Sequence, residues 1–173
     1  MSARGVTLIE LLVTLTIAAV LGALALPNLR RLLADASVTA ASNEALAALQ
    51  LARRTALATG NTVTLCPTVN EQDCNLRGTA WMLFANRQAG RDSRREAGEE
   101  LLRRWPLPRG VTLNGTRGYA VYLPQPRAAT TLTFTFCHTG YPALQRSLIV
   151  SQTGRPRVSR PSPTSTAAAS TCP

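Results

Sequence analysis

From Val6 to Leu26 the chain is apolar for 21 residues, with Thr7, Thr14, Thr16 and Gly22 as mild interruptions and Glu10 as the single charge. No water-exposed helix tolerates such a run, so lipid or other protein must cover it. As a helix it spans about 30 Å, the hydrocarbon thickness of a bilayer. A secretory signal peptide would place its basic region before an apolar stretch of about 7 to 15 residues and end at small residues. The run here is longer, and helical patterning continues past Pro27, so the segment reads as retained. Arg30 and Arg31 follow it and Arg4 precedes it, a count too small to set orientation. A carboxylate in hydrocarbon costs roughly 2.5–3.5 kcal/mol, so Glu10 is expected to serve a partner.

Pro27 is expected to kink the helix. Beyond it Leu29, Leu32, Leu33, Ala36, Ala40, Leu46, Leu49, Ala52 and Ala56 recur near three- and four-residue spacing, the mark of one apolar helix stripe. Gly60-Asn61 supplies a stop. After Gly60 the period becomes two. Strands are expected over Thr62–Cys66, Thr79–Asn86, Val111–Leu113, Tyr119–Leu123, Thr130–His138 and Ser147–Ser151, bounded by Gly, Pro and Asn. Gln88–Glu100 is polar and charged and reads as a mobile loop. Pro161–Ser170, rich in Ser, Thr, Pro and Ala, reads as an irregular tail. The chain of 173 residues is thus one β-rich head on a long helix, and its 45% hydrophobic content is concentrated in the anchor.

The net charge of +10 is unevenly placed. All nine acidic residues lie between Glu10 and Glu100, whereas residues 101–173 hold nine arginines and no acid. The chain has no lysine. So one-sided a balance fits an anionic partner: nucleic acid, lipopolysaccharide or an anionic membrane surface. The cysteines, Cys66, Cys74, Cys137 and Cys172, lack the paired short gaps of a zinc site and fit two disulfides in an extracytoplasmic domain. His138 is the only histidine, and Asp73, Glu99 and Glu100 have no partner at catalytic or ligand spacing. No catalytic residue, metal or cofactor is expected, and Trp81 and Trp105 are expected in the core.

Arg4-Gly5-Val6-Thr7-Leu8-Ile9-Glu10 is a short basic leader ending in glycine, then an apolar helix with glutamate at the fifth position. It resembles the signal of type IV pilins and type II secretion pseudopilins, with Val6 where most members carry phenylalanine. The resemblance implies a pilin fold of class α+β, a long N-terminal helix packed on an antiparallel sheet or sandwich head. It implies a leader over 1–5, cleavage by a prepilin peptidase between Gly5 and Val6, and N-methylation of Val6. A transmembrane and filament-core helix over 6–27, an amphipathic helix over 28–60, a β-rich head over 61–160 and a tail over 161–173 follow. Glu10 would meet the amino terminus of a neighbouring pilin subunit. The chain would be a single-pass protein of the inner membrane with its head in the periplasm, then part of a surface pilus.

Within that superfamily the head resembles the FimT and GspH group. The shared signals are Leu65-Cys66-Pro67 closing at Cys74, the Cys137 region, and Ser147-Leu148-Ile149-Val150-Ser151 leading into Thr153-Gly154-Arg155-Pro156-Arg157. In FimT-like proteins a Gly-Arg-x-Arg motif at this place is implicated in binding DNA during natural transformation. Gly154, Arg155 and Arg157 match it, and Arg160 is expected to extend the row. Alternate residues of an extended segment share a face, so two guanidinium forks would meet the phosphates of double-stranded DNA without reading sequence. A GspH-type pseudopilin, or a minor pilin that primes assembly without binding DNA, is the alternative. The disulfides are expected as Cys66 with Cys74, closing a short loop, and Cys137 with Cys172, pinning the tail.

Processing at Gly5 is directly measurable. Mass spectrometry of membrane-extracted protein is expected to find an N-methylated chain beginning at Val6. An intact Met1 terminus in cells with an active peptidase would refute the prepilin assignment.

Overall fold

The computed structural model describes residues 7–87, 93–125 and 129–160. Gly5, Val6, Cys172 and the 161–173 tail lie outside the described residues. The chain forms two compact units, Met1–Leu33 and Ala34–Pro173, and helix α1 (Leu8–Thr59) contributes to both.

In the first unit Thr7 caps the helix, its hydroxyl accepting from the Glu10 amide at 3.3 Å. The hydroxyls of Thr14 and Thr16 donate to the carbonyls of Leu11 and Val13 at 2.9 and 2.8 Å. Those bonds remove two donors that hydrocarbon would penalise. The helix remains helical through Pro27. Leu8, Ile9, Leu15, Leu21 and Leu24 are all exposed on the isolated chain. The segment is long and apolar enough to cross a membrane.

In the second unit, α1 buries Ala34, Val38, Ala41, Ser42, Ala45, Ala48, Leu49, Ala52 and Ala56. Ala36 and Ala40, expected on the stripe, are exposed. The buried face is set instead by which residues meet the sheets, since alanine occurs all around this helix and its sequence alone does not mark a side. Gly60 ends the helix at φ 69° with its amide bonded to the Ala56 carbonyl at 3.0 Å, the left-handed cap that favours glycine.

Eight strands follow: β1 (Thr62–Thr68), β2 (Ala80–Asn86), β3 (Leu101–Pro106), β4 (Val111–Gly115), β5 (Ala120–Tyr122), β6 (Leu132–His138), β7 (Tyr141–Val150) and β8 (Pro156–Ser159). They form two antiparallel sheets, in order β3-β2-β1-β5 and β4-β6-β7-β8. The sheets and the alanine face of α1 enclose one core. Trp81 sits at its centre, edge-on to Phe134 at 5.3 Å and stacked with Trp105 at 6.3 Å. Each fully buried aromatic contributes about 1.5–3 kcal/mol. Lower on α1, Arg146 of β7 donates to the Asp35 carboxylate at 2.7 Å.

Two strands escaped the sequence expectations, β3 and β8, and β7 begins earlier, at Tyr141. Both missed strands are sheet edges and carry adjacent or alternating arginines, which hide the period-two signal. An edge strand can accept Pro156 because its outer side needs no amide donor. The segment read as a loop is also corrected: residues 93–100 are tied down. Arg95 donates from Nε to the Glu71 carbonyl at 2.9 Å and from Nη1 to the Glu99 carbonyl at 3.0 Å. The buried Glu99 carboxylate accepts from the amides of Arg87 and Glu96 at 2.7 and 2.9 Å. On the outer face of the first sheet Cys66, Met82 and Phe84 form a second small core, against which Cys74, Leu101 and Tyr119 pack. The disulfide Cys66–Cys74 closes the loop between its two cysteines, contributing about 2–3 kcal/mol for its length. Cys137 is also disulfide-bonded; the expected pair with Cys172 lies outside the described residues.

Tyr122 links the sheets, its hydroxyl donating to the Gly154 carbonyl at 3.1 Å. Burial, partly offset by the Arg53 charge, pushes its pKa up from 10.0 to about 12. Between those values the folded chain keeps a proton that the unfolded chain has lost, so stability is full below pH 10 and falls as pH rises towards 12. Tyr122→Phe is expected to remove that alkaline decline in thermal melts, with no lysine titration to obscure it, and to lower neutral-pH stability by about 1 kcal/mol. Separately, Ala45→Leu is expected to cost about 1–3 kcal/mol by overpacking the buried helix face, measured by denaturant unfolding.

Candidate nucleic-acid interface

The Gly-Arg-Pro-Arg segment begins at the turn after β7. The Gly154 amide donates to the Ser151 carbonyl at 2.8 Å, and the Ser151 amide to the Arg155 carbonyl at 3.3 Å. The Ser151 and Thr153 hydroxyls share a hydrogen bond at 2.9 Å. Gly154 is buried at φ 72°. A Cβ there would lie 3.0 Å from Ala129 Cβ and 3.2 Å from Tyr122 Cε1. Glycine is therefore required on two independent grounds, backbone conformation and space. Its carbonyl is the one held by Tyr122.

The chain leaves this turn as β8, pairing Pro156 with Val150, Arg157 with Ile149 and Val158 with Leu148. Val158 packs on the core. Alternation then sends Arg157 to the opposite, solvent side. Arg155 stands two residues before it along the chain, and both side chains are exposed. Arg160 is exposed too, but it follows the end of β8 and stands three residues from Arg157, out of the alternation. No acidic side chain pairs with Arg155, Arg157 or Arg160 among the described residues.

The backbone that carries this exposed pair of guanidinium groups is held by hydrogen bonds, and such groups can meet phosphate oxygens. A guanidinium fork matches phosphate oxygens whatever the base sequence, so such a pair could contact the backbone of a nucleic acid.

Other singled-out residues have structural roles. His138 accepts the Gly140 amide at Nδ1, 3.0 Å, and lies against Tyr141 and Gly110. Asp73 accepts from the Asn70 side chain and faces Arg94 at 3.7 Å. Glu99 is committed to backbone amides. Glu10 is exposed. No group of metal-ligating side chains occurs among the described residues. Arg53 of α1 was missed. It lines a small notch beside Gly154, and only the fold brings it there.

The family described as type II transport protein GspH matches residues 41–154, and the prokaryotic N-terminal methylation motif matches residues 1–26. The GspH match ends at Gly154, before Arg155 and Arg157. No curated protein matches the chain by sequence. Among solved structures, the type IV minor pilin FimU of Pseudomonas aeruginosa is similar at a TM-score of 0.55 and 20% identity, over 70% of this chain and 87% of that one. The minor pseudopilin EpsH from the Vibrio cholerae type 2 secretion system gives 0.53 and 14%, over 72% and 97%. The solution structure of Escherichia coli GspH gives 0.52 and 13%, over 73% and 90%. At these identities the structures speak to fold alone, and the fold agrees: a helix on two antiparallel sheets. The chain therefore belongs to the GspH family, described as type II transport protein, and carries the prokaryotic N-terminal methylation motif.

Proposed function

We propose that this chain is a minor type IV pilin of FimT type that binds extracellular double-stranded DNA without sequence preference, for natural transformation. The observation that carries this reading is the exposed, acid-free pair Arg155 and Arg157 on the rigid Gly154 turn and edge strand β8. A surface needed only for solubility would not require so constrained a support. The acid-free composition of residues 101–173 extends the same field. In this reading the prepilin peptidase cuts after Gly5 and Val6 is methylated. The apolar half of α1 holds the protein in the inner membrane with the head in the periplasm until assembly. Glu10 then meets the amino terminus of a neighbouring subunit as the helix enters the filament. The exposed leucines of that half of α1 support both stages, since lipid or neighbouring helices would cover them.

The second reading, a GspH-type pseudopilin of the type II secretion system, is favoured by the family description and by the likeness to EpsH. The two differ in whether DNA is a ligand. Full-length protein in neutral detergent is expected to bind duplex DNA of any sequence. With about three or four phosphates engaged, log affinity should fall against log salt with a slope of roughly −3. Replacing Arg155 and Arg157 together by glutamine is expected to flatten that slope and remove most binding without lowering the melting temperature. Arg94 and Arg109 are the controls, because both are exposed and neither belongs to the turn, to β8 or to the notch beside them. Arg95 is unsuitable as one, since its loss would release the Glu71 and Glu99 carbonyls. Absent binding, or an unchanged double variant, would favour the secretion filament.

A further inference from the structure

The notch beside the Gly154 turn is bounded by Arg53 and Leu57 from α1 and by Tyr122, Gln125, Thr153 and Gly154 from the head. Arg53 is half-buried there, and its charge acts on the Tyr122 hydroxyl that holds the Gly154 carbonyl. It has no acidic partner among the described residues. One turn away on its own helix stand Leu49, Gln50, Ala56 and Leu57, none of them charged. The elements facing it present a phenol, an amide and a hydroxyl, also uncharged near neutral pH, because Tyr122 keeps its proton up to about pH 12. A guanidinium fixed among neutral groups at a surface leaves its counter-charge to be supplied from outside. Arg155 follows Gly154 directly, so this cation lies beside the proposed interface although it is remote in sequence.

We propose that Arg53 is a third phosphate contact of that interface, reaching the DNA backbone from the helix while Arg155 and Arg157 reach it from the turn and from β8. The inference rests on the DNA-binding reading. It gives the surface a second side, so the duplex is held across the groove between helix and turn rather than along a single strand edge. The half-buried stem also favours binding, because less side-chain freedom is lost when the phosphate arrives. The competing role is that of a prop, with Arg53 packing against Tyr122 merely to hold the turn in place.

The test uses full-length protein in neutral detergent with a fluorescently labelled duplex, titrated across a salt series. Arg53→Gln is expected to weaken binding and make the salt slope shallower by roughly one, with an unchanged melting temperature. Arg53→Lys, which keeps the charge, is expected to retain the slope. An Arg53→Gln variant that binds like the parent overturns the inference while leaving the Arg155 and Arg157 reading intact, provided their double variant loses binding. Equal loss in Arg53→Gln and Arg53→Lys, accompanied by a lower melting temperature, identifies a prop and also overturns it. A parent protein that does not bind the duplex removes the underlying reading itself.

Discussion

The second unit depends on close approach of α1 to two sheets at once, and alanine makes that approach possible. Seven of the nine buried residues on that face are Ala34, Ala41, Ala45, Ala48, Ala52, Ala56 and the similarly small Ser42. Small side chains bring the helix axis near the strands, and the large residues come from the sheets instead, with Trp81, Phe134 and Phe136 filling the space between. The second sheet shares this core alone, whereas the first has besides it only the small cluster of Cys66, Met82 and Phe84 on its other face. The C-terminal half of the helix is therefore the floor on which the head is assembled.

The same arrangement explains how an exposed cationic segment acquires a defined geometry. Edge strand β8 has only one hydrogen-bonded neighbour and would fray if left alone. It is secured by Val158 in the core, by the glycine turn, and by the Tyr122 hydroxyl reaching from the other sheet. Tyr122 suits this task because burial keeps it protonated and therefore a donor. The positive field is left to side chains that carry no structural duty, Arg155 and Arg157. Other arginines are spent on the fold: Arg146 on Asp35, Arg104 on Glu71, and Arg95 on two carbonyls. Counting arginines by sequence position cannot separate these two classes.

Much of the fold was legible because its signals are local. The apolar run beginning at Val6, the glycine stop at Gly60 and the Leu132-Thr133-Phe134-Thr135-Phe136 alternation each depend on residues a few positions apart. The family resemblance rested on equally compact motifs at Gly5–Glu10 and Gly154–Arg157. Edge strands β3 and β8 were less legible, because a strand with one solvated side and one paired neighbour can carry arginine and proline where a central strand cannot. The ordered segment 93–100 was missed for a related reason. Arg95 and Glu99 are fixed by backbone groups, partly within the segment and partly from Glu71 and Arg87, and such bonds leave no hydrophobic period to read.

By itself the sequence determined the membrane-length helix, the change to β structure after Gly60, the one-sided charge and the exposed Arg-Pro-Arg. Each follows from hydropathy, periodicity or backbone chemistry over a short span. Only the tertiary structure decided which alanines face the core, that Glu99 and Arg95 are structural, and that Arg53 and Tyr122 stand beside Gly154. Those outcomes depend on contacts between residues distant in the chain. Their energies come from burial and hydrogen bonding that exist only once the helix and both sheets have closed on one another.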